Sequence, residues 1–265
     1  LPPALAHGNN GGRTPSCLPT LAPMNDCAIE FHNVHLQLAG SAVLRGVDLQ
    51  VRAGELFGLV GVNGAGKTSL LKCLLDFCTP ERGDIAIFGQ PHRHGAARQP
   101  LSFLPERFQA PYYLTGDDFL RYLSRLHHVR PDAQALRQAL DALDLAPHAL
   151  RRPARDYSKG MMQKLGLAAC LLSGKPQLVL DEPMSGLDPK ARAQFKQVLQ
   201  QARAQGRGAL LTSHALADVE ELCDRMAILH GGRIVFAGTP AECRARHGGV
   251  AGASLEQAFL NCIAA

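Results

Sequence analysis

The sequence predicts an α/β fold, and three observations carry the prediction. An apolar run, Glu55-Leu-Phe-Gly-Leu-Val60, leads into the glycine-rich segment Gly61-Val-Asn-Gly-Ala-Gly-Lys-Thr68, and a helical pattern follows from Thr68 to Phe77. A second short apolar run, Gln177-Leu-Val-Leu180, ends on the carboxylate pair Asp181 and Glu182. Along the rest of the chain, apolar residues switch between period two and helical spacing, with glycine or proline at the switches.

The elements follow in order. Ile29, Phe31, Val34, Leu36 and Leu38 lie near period two, and Val47, Leu49 and Val51 alternate with Asp48, Gln50 and Arg52, so both stretches predict half-exposed strands. After the Thr68–Phe77 helix, Gly83 to Gly89 reads as another short strand. Phe119, Leu120, Leu123 and Leu126, then Leu136, Leu140 and Leu143, recur at helical spacing and predict a helical insertion between about Pro100 and Lys159. Helices are expected over Ser158–Leu172, Pro189–Gln205 and about Leu216–Cys223. Strands are expected over Ala209–Thr212, Met226–His230 and Arg233–Phe236.

Composition sets limits on function. The chain has 265 residues, 46% of them hydrophobic, enough for a sizeable core. A formal net charge of +5, from 28 basic and 23 acidic residues, would suit a nucleic-acid binder or a protein near anionic lipid equally well, and in a chain this long it is expected as ordinary surface solvation. The arginines at 121, 125, 130, 137, 151, 152 and 155 are interspersed with aspartates at 117, 118, 132, 141, 144 and 156, so they form no basic stripe and no nucleic acid is expected as a partner. The eight cysteines form no CxxC pair, which argues against a disulfide scaffold or structural zinc; Cys73, Cys170 and Cys223 read as small buried hydrophobes. His92, His94, His127 and His128 read as surface residues. No apolar run approaches the ~20 residues that span a bilayer. Residues 1–23 carry one charge, Arg13, and no secretory pattern; they are expected to be a disordered leader before a start at Met24, with 24–265 forming a single domain.

The glycine-rich segment carries the clearest chemistry. Gly61, Asn63, Gly64 and Gly66 let backbone N–H groups turn inward around phosphate oxygens, and the helix behind them offers its positive end. Lys67 places a cation at the terminal phosphates, while Thr68, followed by Ser69, supplies a hydroxyl for Mg²⁺. Asp181 is the expected acidic partner of Mg²⁺, a hard cation that prefers oxygen ligands. Glu182 can orient or deprotonate a water aligned on the γ phosphate. ATP and Mg²⁺ are the expected cofactors.

From about Ala28 onward the chain resembles ABC-type ATPase subunits, an ABC ATPase core with an antiparallel β-subdomain and an inserted helical subdomain at about 100–160. Tyr157-Ser-Lys-Gly-Met161 is similar to that family's signature segment, keeping Ser158 and Gly160 but carrying Lys159 and Met161. The resemblance implies that Ser158 and Gly160 meet the γ phosphate held by a second protomer. Ser185-Gly-Leu-Asp188 matches the family's D-loop, which puts Asp188 at the dimer seam, and His214 matches its switch histidine, a γ phosphate contact. Glu106 stands in the Q-loop position, where it can ligate Mg²⁺ or a water, and Glu106–Thr115 would face a membrane permease. The usual adenine-stacking aromatic is missing, which leaves Leu38 or Val43 to carry the base.

The resemblance implies a homodimeric ATP-hydrolysing subunit, cytoplasmic and peripheral on the inner face of the cell membrane, that drives a separate permease. The signature variant and the ending after Leu255–Leu260 favour an exporter. A soluble ABC ATPase of translation or DNA maintenance would be expected to show a duplicated nucleotide domain or a long arm. A nucleotide-gated interaction module would have little need of both Glu182 and His214.

Overall fold

A computed structural model describes residues 26–129, 133–249 and 253–264. The expected leader and Met24 lie outside them, as do Arg130 and Asp132. Strands β1 (Cys27–Leu38) and β2 (Ser41–Arg52) pair antiparallel, and β4 (Arg82–Ile87) pairs the free edge of β1. With the short β5 (Gln90–Pro91) they make a four-stranded antiparallel sheet, order β2-β1-β4-β5.

A six-stranded sheet forms the centre. It comprises β3 (Leu56–Val60), β6 (Leu101–Leu104), β7 (Gln177–Leu180), β8 (Gly208–Ser213), β9 (Arg225–His230) and β10 (Arg233–Gly238), in the order β10-β9-β3-β8-β7-β6. All neighbours are parallel except the pair of β9 with β10. Layers on both faces explain why these strands read as unbroken apolar runs. Phe57, Leu59, Val179, Leu210 and Ala227 pack toward the antiparallel sheet and the helix α1 (Lys67–Leu74). Leu56, Val60, Leu178, Leu180 and Leu211 pack on the opposite face.

That opposite layer holds α2 (Gly116–Leu126), α3 (Ala133–Ala142), α4 (Lys159–Leu172), α5 (Pro189–Ala204), α6 (Leu216–Leu222) and α8 (Leu255–Ala264). The N-terminus of α2 is capped by Thr115, of α4 by Ser158 and of α5 by Asp188; each side chain accepts the backbone N–H three residues on. Among the described residues no helix is long and apolar enough to cross a membrane.

Four features depart from the sequence reading. The interval expected to be helical from about Pro100 opens instead on β6, which completes the edge of the central sheet against β7. At four residues that strand is too short to show a period. Helix α1 stops at Leu74 rather than Phe77, because Asp76 takes φ +63 and the Phe77 N–H returns to the Lys72 carbonyl. An unforeseen α7 (Pro240–His247) follows Thr239, which forms a capping box with Glu242. His92 is not a surface residue: it is 3% exposed, with Nδ1 3.1 Å from the Ile85 carbonyl across the β4–β5 turn, and burial lowers its pKa.

Candidate functional site

The site grows from the end of β3. The chain leaves the sheet at Gly61, where a methyl group would lie 2.4 Å from the Leu229 carbonyl, so only glycine lets the loop pass. It enters α1 through Gly66 at φ +108, a conformation closed to other residues. No side chain caps α1, and its first N–H groups are therefore available to an anion. The cleft in front of them has a volume of about 320 Å³ and is lined by Val43, Asn63, Gly64, Gly66, Lys67, Thr68, Ser69, Glu106, Glu182, Ser185 and His214.

Across the cleft stands the end of β7. Asp181 is 3% exposed, and its Oδ1 accepts from Thr68 Oγ1 at 3.3 Å and from Thr212 Oγ1 at 2.7 Å. The Lys67 ammonium donates to the Gly61 carbonyl at 2.7 Å and lies 3.5 Å from Glu182 Oε1. The second carboxylate oxygen of Glu182, Oε2, is 2.9 Å from His214 Nδ1, which donates when Glu182 is ionised. Glu182 thus links the lysine on one side to the histidine on the other, and its own backbone sits at φ +45. Thr68 and Glu106 line the cleft and Asp181 stands behind Thr68, oxygen groups of the kind a hard divalent cation takes, although among the described residues no three acidic, histidine or cysteine side chains converge as a metal site.

Most of the sequence-predicted residues meet here, and the exceptions are informative. Gly61 contributes its carbonyl to Lys67, and Asp181 lies behind Thr68 rather than on the cleft wall. Leu38 ends β1 at 43% exposure and is not part of the lining, whereas Val43 is. Ser158, Gly160 and Asp188 stand apart from the cleft. Ser158 and Asp188 begin helices, and a methyl built on Gly160 would meet open space.

Ser158 opens instead on a neighbouring groove of about 500 Å³, lined also by Arg107, Phe108, Tyr112, Arg155, Tyr157 and Lys159. Glu106 borders both cavities. Tyr112, in the groove's lining, meets Tyr113 edge to face, and both are exposed. Sequence reasoning missed Thr212, whose strand pattern reads as an ordinary buried β residue. It also missed the place of Ser185 in the cleft wall, which follows from the turn after Glu182.

Comparison with known proteins identifies the family and the fold. Residues 44–185 match the ABC transporter family. An uncharacterized ABC transporter ATP-binding protein of Nostoc is 40% identical over 75% of this chain, and the match covers 60% of that protein's length. A Nod factor export ATP-binding protein I of Burkholderia orbicola is 35% identical over 82% of this chain and 72% of its own. A solved ATP-binding subunit of an ABC transporter superposes with a TM-score of 0.78 at 30% identity, covering 89% of this chain and 99% of that one. The chain belongs to the ABC transporter family and has the ATP-binding ATPase core of that family, with its antiparallel sheet and helical insertion.

Proposed function

We propose that this chain binds Mg·ATP in the cleft, closes on it as a head-to-tail homodimer and hydrolyses it to drive an exporter-type membrane permease. The observation that carries the reading is the chain of contacts from Lys67 through Glu182 to His214, with Thr68 and Asp181 beside it. The backbone of 61–66 and the start of α1 receive the phosphates, and Lys67 holds the terminal one. A phosphate oxygen competing for Lys67 releases Glu182, whose carboxylate then accepts a proton from the attacking water while His214 orients it. Thr68, Asp181 and Glu106 are the residues that would hold Mg²⁺, which when bound would neutralise charge on the phosphate oxygens.

Ser158 and Gly160 lie outside the cleft with their helix start exposed, which suits a role across a dimer seam, where they would meet the partner's γ phosphate. The groove beside Glu106, with exposed Tyr112 and Tyr113, is the surface offered to the permease, and it would hold the chain on the inner face of the membrane. The Nod factor export relative supports the direction of transport. Mass spectrometry of partners that copurify with Glu182→Gln from gently solubilised membranes in Mg·ATP tests this reading. A multi-span permease is expected; ribosomal or DNA-repair components without a permease would reject it.

A further inference from the structure

Thr212 is fully buried in β8, a strand whose other members at this depth, Ala209, Leu210 and Leu211, are apolar. Valine would match its shape there, yet the position carries a hydroxyl, and both of that hydroxyl's roles are used on consecutive residues. Oγ1 donates to Asp181 Oδ1 at 2.7 Å and accepts the Glu182 N–H at 2.8 Å. The parallel register puts Leu180 opposite Leu211, so the next residues along, Asp181 and Thr212, fall side by side at the sheet's end. Val179 and Leu210 pack on the α1 side of the sheet, and strand alternation turns Asp181 and Thr212 toward the same side, where Thr68 lies. Immediately beyond, Glu182 leaves the strand at φ +45, a conformation that needs support from its surroundings when the residue has a side chain.

We propose that Thr212 is a positioning residue of the hydrolytic site. Its one hydroxyl fixes the rotamer of Asp181 through the donated bond, and it anchors the left-handed backbone of Glu182 through the accepted one. The two acidic groups therefore hold their separate directions, Asp181 toward Thr68 and Glu182 between Lys67 and His214. The inference rests on the hydrolytic reading for its consequence, but the contact itself is independent of turnover.

The test compares Thr212→Val, Thr212→Ser and Glu182→Gln with the parent in the full chain, after thermal melts establish that each variant folds. In nucleotide-free protein, amide hydrogen exchange is read at Glu182. Thr212→Val is expected to lose the protection there and Thr212→Ser to keep it; equal protection in both would overturn the inference. In steady-state hydrolysis, Thr212→Val is expected to lower kcat by about 10- to 100-fold with KM for Mg·ATP little changed, and Thr212→Ser is expected to restore most of the rate. A Thr212→Val rate within two-fold of a Glu182-dependent parent rate would equally overturn it. A parent rate that Glu182→Gln leaves unaltered would instead reject the hydrolytic reading, and the exchange measurement would still decide whether the hydroxyl holds the Asp181–Glu182 backbone.

Discussion

At the scale of single residues, the site works by sharing. Lys67 is 7% exposed and satisfied by a backbone carbonyl, so its charge is held inside the fold and aimed at the cleft rather than spent on bulk water. The phosphate loop and the acidic pair were legible in the sequence because each is a contiguous motif behind an apolar strand. Thr212 was not, since its role depends on the register between β7 and β8, which no local pattern announces. Of the two residues expected to carry the base, Leu38 and Val43, which flank the same hairpin, only Val43 borders the cleft. Val43→Ser is therefore expected to weaken ATP affinity by about 5-fold through lost apolar contact, while Leu38→Ser leaves it unaltered, as read by fluorescent-nucleotide titration. Equal effects of the two substitutions would move the base away from Val43.

At the scale of elements, the sequence revealed what is periodic or capped and hid what is short. Helices α2, α4 and α5 announce themselves by apolar spacing behind Thr115, Ser158 and Asp188. Strand β6 has no such signal, and its place is fixed by pairing with β7 alone. Helix α7 did carry one, Thr239-Pro-Ala-Glu242, although its single buried face is too narrow to show a period. Thr239→Ala removes the hydroxyl that accepts the Glu242 N–H and is expected to lower stability by about 1 kcal/mol in urea denaturation. The Thr239 backbone N–H holds the Glu242 carboxylate below its ordinary pKa. This contribution is therefore fully present above the usual carboxylate range and is lost as pH falls through the depressed value, so Glu242→Gln should flatten that part of the acid-side melting profile.

At the scale of the whole molecule, the central sheet separates two cores, one shared with the antiparallel sheet and α1, the other with the helical layer. The functional loops leave one end of that sheet, at the carboxyl ends of β3, β7 and β8, where strands from the middle of the sheet deliver the phosphate loop, the carboxylate pair and the histidine to one cleft. The alternating pattern made the α/β class readable, but the division into two cores is a property of strand order, which crossovers set and local spacing does not encode. The same geometry leaves Ser158 outside the cleft, on the neighbouring groove that Glu106 also borders. On the proposed reading, Glu182 is the group on which hydrolysis depends. Single-turnover hydrolysis of Mg·ATP by Glu182→Gln, with binding measured in parallel, tests it most directly. A rate lower by about 100-fold or more with affinity retained is the expected result; hydrolysis at the parental rate would rule out that role for Glu182.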